Sequence, residues 1–190
     1  MNAPLPEAAG IRPQILVIMG VSGCGKTTVA EGLHNILGWP YQEGDLLHPR
    51  ANVEKMAAGI PLTDEDRWPW LAQCRAWIEA RIRDGGGGIL TCSALKRAYR
   101  DVLRQGDTDR GTDRDADPVV FVYLKVPESI LKARLARRTG HYMPPSLLPS
   151  QLATLEEPTA DEHALVIESE NAPAEVIAKT IGQLKYRIKR

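Results

Sequence analysis

Gly20-Val21-Ser22-Gly23-Cys24-Gly25-Lys26-Thr27 fits the pattern G-x-x-x-x-G-K-[ST] at every fixed position. A loop of this kind wraps a polyphosphate with its backbone N–H groups, and so close an approach needs side chains absent at several points. Gly20, Gly23 and Gly25 satisfy that need. Ser22, Cys24 and Thr28 complete the candidate binding stretch for ATP. Lys26 is placed to reach the β- and γ-phosphates and to serve catalysis, and the Thr27 hydroxyl is placed to ligate Mg²⁺. The helix expected to follow aims its positive end at the same phosphates.

The surrounding elements agree with this reading. Residues 14–19, Gln-Ile-Leu-Val-Ile-Met, are an apolar, β-branched run that predicts a buried parallel strand ending at Gly20. From Lys26 to Leu37 the apolar residues recur at helical spacing, and Gly38 offers a stop. Further strands are expected at 40–44, 89–92, 119–124 and 164–168. Helices are expected at 49–58, from Asp64 or Asp66 to about 84, and at 94–103, 127–138, 150–157 and 173–186. Strands that alternate with helices imply an α/β fold: one domain from residue 14 to 190, with a five-stranded parallel sheet and helices on both faces. Residues 1–13 read as a loose lead-in, and the polar run 105–118 as a surface loop.

Composition sets the class. The chain has 190 residues, and its 24 Lys and Arg balance 24 Asp and Glu, which argues against a general nucleic-acid binder. No apolar run approaches a membrane span and no signal-like segment opens the chain, so a soluble, cytoplasmic protein without a membrane partner is expected. Cys24, Cys74 and Cys92 lack metal-ligand spacing and read as free thiols, with Cys24 expected to be solvent-accessible.

A phosphate loop serves many activities, so the rest of the chain must decide. The chain is short and has no Asn-Lys-x-Asp guanine-reading motif. Arg134-Leu-Ala-Arg137-Arg138 leads into a Gly- and Pro-containing loop, the place for an Arg-bearing lid at about 134–158. These features favour a small-molecule kinase, because phosphoryl transfer needs cations at the migrating group and water excluded. Arg134 and Arg138 share a helix face, with Arg134 expected on adenine and Arg138 on the phosphates as a catalytic group.

Three blocks then carry a specific resemblance: Gly44-Asp45-Leu-Leu-His48-Pro49 through Arg67-Trp-Pro-Trp70-Leu71; Cys92-Ser93-Ala-Leu-Lys96-Arg97 through Arg104; and Gly140-His141-Tyr142-Met143 with Leu147 through Pro158. In this order they resemble the gluconate kinases. The resemblance implies transfer of the ATP γ-phosphoryl to the 6-hydroxyl of D-gluconate, and a homodimer. It implies that Asp45 orients or deprotonates the attacking hydroxyl, the alternative being a cap for the helix near Pro49. In related kinases a carboxylate at the place of Glu43 holds Mg²⁺ through water; a surface strand residue is the other reading. His48 and His141 are expected at the substrate. Arg67, Lys96 and Arg100 are all candidates for the gluconate carboxylate, with the choice among them open. A kinase for another sugar acid or polyol is the second reading, and a nucleotide-sensing module the third. Shikimate kinases place a Gly-Gly-Gly after the third strand, whereas Gly85 to Gly88 here precede it and read as a turn.

Overall fold

Five parallel strands form one sheet in the order β2-β3-β1-β4-β5. The computed structural model describes residues 10–104, 117–137 and 145–187. The strands are β1 (Ile15–Met19), β2 (Tyr41–Glu43), β3 (Gly88–Thr91), β4 (Val119–Lys125) and β5 (Leu165–Glu168). The helices are α1 (Lys26–Leu37), α2 (Arg50–Ala57), α3 (Asp64–Arg83), α4 (Arg97–Arg104), α5 (Glu128–Ala136), α6 (Leu148–Thr154) and α7 (Pro173–Arg187).

β1 is central and wholly buried, with neighbours on both sides and helices above and below. That setting is why its sequence is apolar without alternation. The chain steps from β1 outward to β2, then back through β3 to β4. Right-handed crossovers therefore put α1 on one face and α3 with α4 on the other. α7 returns to pack on α1, and α3 packs on α4. The sheet reverses its winding beside β1, so the crevice at the carboxyl ends of β1, β2 and β3 is where such a fold binds ligands.

Local chemistry sets the element ends. Gly38 closes α1 in a left-handed conformation at φ 68°, as expected of it. α3 is capped by Thr63, not by Asp64 or Asp66. The Thr63 hydroxyl accepts from the Asp66 N–H, and the Asp66 carboxylate accepts from the Thr63 N–H. α4 begins at Arg97, three residues later than periodicity predicts, because Ala94 sits at φ 44° and breaks the helix there. Gly85 to Gly87 lie ahead of β3 and Gly88 opens it, so this glycine run is the turn into the strand.

Candidate active site

The loop between β1 and α1 bends tightly at its glycines. Gly25 precedes α1 at φ 103°, a conformation that L side chains rarely adopt. The Lys26 ammonium lies over the loop and donates to the carbonyls of Gly20 at 3.1 Å and Val21 at 3.2 Å. Cys24 contradicts the expectation of an accessible thiol: it is completely buried. Its Sγ lies beneath Gly20, so the loop uses this side chain as a core anchor, and at Cys24 only backbone is left for a ligand.

The loop separates two cavities. On one side Ser22, Gly23, Gly25, Lys26 and Thr27 share a cavity with Glu43, Asp45, His48, Arg67 and Ser93. On the other, Cys24, Thr28 and Val29 face Arg134, Ser169 and Asn171. Gly23 and Gly25 border both.

Asp45 reaches the first cavity because β2 ends in a tight turn over Gly44–Leu47. The Gly44 N–H donates to the Thr91 hydroxyl at 3.0 Å, and its carbonyl accepts from the Trp70 indole at 2.8 Å. A Cβ on Gly44 would run into the Thr91 carbonyl, so only glycine lets the turn approach β3 this closely. The N-cap residue of α2 is Pro49 and not Asp45. α2 starts at Arg50 behind Pro49, with no side-chain cap.

Glu43 and Thr27 meet directly: the Thr27 hydroxyl donates to the Glu43 carboxylate at 2.8 Å. Tyr41 donates to the same oxygen at 2.6 Å, and Thr91 donates to the other. Burial pushes the Glu43 carboxyl up, but these hydroxyl donors and the Lys26 charge outweigh it and hold it below the usual carboxylate range. Glu43 is thus an anion facing the loop and not a surface strand residue.

His48 stacks on Trp70 with ring centroids 4.1 Å apart and an interplanar angle of 15°. Burial and the Arg67 charge draw its pKa down to about 4, which makes it a neutral imidazole at neutral pH. Arg67 is held by one nitrogen, Nη1, which donates to the Leu62 carbonyl at 2.6 Å and the Tyr99 hydroxyl at 3.4 Å. A guanidinium has five N–H donors, so this anchoring leaves the rest of the fork to a ligand in the cavity it lines.

Two of the expected basic residues do not join this cavity. Lys96 is tied to Asp64 at 2.8 and 2.9 Å, and the Tyr99 hydroxyl donates to the same carboxylate. Arg100 is 1% exposed and makes a two-pronged pair with Glu162 at 2.5 and 2.8 Å. Its Nη1 also donates to the Ala94 and Glu156 carbonyls at 3.0 Å. Arg100 therefore knits the segment after β3 to the stretch before β5, and no donor in this arrangement reaches the substrate side. Arg138 and His141, and with them residues 138–144 of the expected lid, lie outside the described residues. Arg134 is described: it donates to the Cys24 and Ser169 carbonyls at 3.4 and 2.8 Å, beside Thr28 in the second cavity.

Sequence reasoning missed Gln151 and Leu147, which line the first cavity from α6 and the turn before it. Gln151 lies in a block that carries the family resemblance, but no local pattern marks it as facing the phosphate loop. Met56 and Leu62 bury against Leu147 and form an apolar wall of the same cavity.

Comparison with known proteins agrees with this geometry. The family described as "AAA domain" matches residues 15–158. A gluconokinase of Gluconobacter oxydans (strain 621H) is 53% identical over 172 residues, covering 90% of this chain and 92% of that one. The structure of a gluconokinase from Sinorhizobium meliloti 1021 superposes with a TM-score of 0.80 at 40% identity, covering 94% of this chain and 95% of that one. An unliganded sugar kinase from Janibacter sp. HTCC2649 gives 0.81 at 45% identity, covering 90% and 94%. A nucleotide-type phosphate loop facing a carboxylate and an arginine across one cavity, together with identity of this extent over nearly the whole chain, shows that the chain belongs to the gluconokinase family of phosphate-loop kinases.

Proposed function

We propose that this protein transfers the γ-phosphoryl group of ATP to the 6-hydroxyl of D-gluconate, giving 6-phosphogluconate and ADP. The observation that carries the reading is that Lys26 and Thr27 of the phosphate loop share one cavity with Asp45, His48 and Arg67. The gluconokinase relatives supply the acceptor.

The expected division of labour follows from the two cavities. The base of ATP lies on the Arg134 side with Thr28, and the γ-phosphoryl group on the Asp45 side. Asp45 accepts the proton of the 6-hydroxyl as its oxygen bonds to the γ-phosphorus, and the bond from that phosphorus to the β–γ bridging oxygen breaks. Lys26 holds the oxygens on which charge builds. Arg67 takes the gluconate carboxylate, and neutral His48 hydrogen-bonds its hydroxyls. Trp70, Met56 and Leu62 keep water from the cavity wall.

Thr27 and Glu43 fit Mg²⁺. A hydroxyl that donates its proton to a carboxylate keeps its lone pairs for a cation, and Mg²⁺ needs only one or two protein oxygens. The ion, when bound, offsets charge on the phosphate oxygens. A coupled assay of ADP release over a panel of sugar acids, polyols and nucleosides tests the proposal. Turnover is expected with gluconate and Mg²⁺-ATP. Turnover with a different acceptor and none with gluconate would overturn it, and so would ATP binding with no turnover at all.

A further inference from the structure

The His48 ring is fixed by more than its stack on Trp70. Asn52, four residues on and within α2, sets its Nδ2 3.3 Å from His48 Nδ1. Asn52 is 4% exposed. The same Nδ2 donates to the backbone carbonyl of Asp66, in the first turn of α3, at 2.7 Å. That carbonyl can only accept, so the carboxamide lies with its nitrogen toward Asp66 and His48 alike.

A chain of roles follows. An amide nitrogen can only donate, so His48 Nδ1 must accept and carries no proton. In a neutral imidazole the proton then sits on Nε2. Burial and the Arg67 charge keep the ring neutral. His48 lines the cavity with Lys26, Asp45 and Arg67, whereas Asn52 stands behind the ring and does not line it. Nε2 has no hydrogen-bond partner among the described residues, so its N–H is the one polar hydrogen the ring keeps for that cavity.

The tautomer decides what the cavity can recognise. The Nε2–H and the Arg67 fork both offer hydrogens, and together they suit the lone pairs of a sugar acid's oxygens. The other tautomer would present a bare Nε2. It would compete with the acceptor for the Arg67 donors, and it would stand as a second base in the cavity of Asp45.

We propose that Asn52 is a positioning residue: it locks His48 as the Nε2–H tautomer, and that N–H donates to a hydroxyl oxygen of the acceptor. The proposal deepens the gluconate reading above and rests on it for the acceptor, but its first test needs no substrate.

Nitrogen-15 NMR of the full-length protein at neutral pH distinguishes a ring nitrogen that bears a proton from a bare one. Among the four histidines, His48 is identified by the signals lost in His48→Gln. His34 gives an internal contrast, because its Nδ1 faces the Trp39 carbonyl at 2.6 Å and must carry the proton. His48 is expected to show a protonated Nε2 and a bare Nδ1, the reverse of His34. A protonated Nδ1 at His48, or a mixture of tautomers, would overturn the proposal whether or not any variant folds. Asn52→Leu is expected to bring His48 to a mixture of tautomers and to raise the gluconate KM about tenfold, with kcat and ATP affinity within about threefold. An asparagine that merely ties α2 to α3 predicts otherwise: the Nε2–H tautomer kept in Asn52→Leu, or a gluconate KM that does not move. Either result would sink the proposal. A parent that shows the Nε2–H tautomer but no turnover with gluconate would remove the acceptor assignment and leave the Asn52 lock standing.

Discussion

His48 lies flat against Trp70, and its burial together with the Arg67 charge opposes its protonation. Its pKa of about 4 in the folded protein stands against 6.5 for an ordinary histidine. The unfolded chain therefore takes up a proton between those values and the folded protein does not. The stabilisation is full above pH 6.5 and is lost as pH falls toward 4, up to roughly 3 kcal/mol in all. His48→Gln is expected to flatten this part of the profile, as measured by urea unfolding at pH 7 and pH 5. An unchanged difference between the two pH values would show that other groups carry the slope. Asp45 serves the reaction in a different way. Asp45→Asn is expected to lower kcat by at least 100-fold while ATP affinity changes by less than about threefold. A matching loss of ATP affinity would move Asp45 from the acceptor to the nucleotide.

At the scale of elements, α4 shows where reading by pattern reaches its limit. Lys96 and Arg100, just ahead of and in this helix, read in sequence as candidates for an anionic substrate. In the fold Arg97 pairs with Asp161 at 2.6 Å, Lys96 with Asp64, and Arg100 with Glu162. Each partner lies more than 30 residues away in sequence, so no local spacing announces it. β1, α1 and their joining loop are legible for the opposite reason: strand, loop and helix are contiguous and each carries its own periodicity. The burial of Arg100 leads to a test. Arg100→Met removes one member of a pair that is 1% exposed on both sides and leaves the Glu162 charge unpaired. Stability is expected to fall by about 3–5 kcal/mol with little change in gluconate KM at a temperature where the variant is folded. A raised KM at undiminished stability would return Arg100 to the substrate. Gly44 gives a second, steric test. Gly44→Ala forces the Asp45 turn away from β3, so kcat is expected to fall more than about tenfold even where the protein remains folded.

At the scale of the whole molecule, the site is assembled from the carboxyl ends of β1, β2 and β3 together with α3 and α6. The donor half was legible because one contiguous motif contains it. The acceptor half was legible mainly through resemblance, since Asp45, Arg67 and Ser93 come from three separate segments. Gln151 was not legible as a site residue, because the contact that reveals it exists only once α6 has packed. This assembly has a thermodynamic consequence. The loop that binds ATP leaves from β1, the central strand of the only sheet among the described residues, so binding energy there stabilises the cooperative core. At 100 times its dissociation constant a ligand adds about 2.7 kcal/mol. For a domain of this size that corresponds to a rise of about 5–10 °C in melting temperature. Lys26→Met is expected to remove most of the rise produced by Mg²⁺-ATP while leaving the rise produced by gluconate alone. Arg67→Met is expected to do the reverse. Thermal scans of both variants with each ligand check the pair. If Lys26→Met kept the full ATP shift, the phosphate loop would not be the nucleotide site, and the orientation of donor and acceptor across the cavity would fall with it.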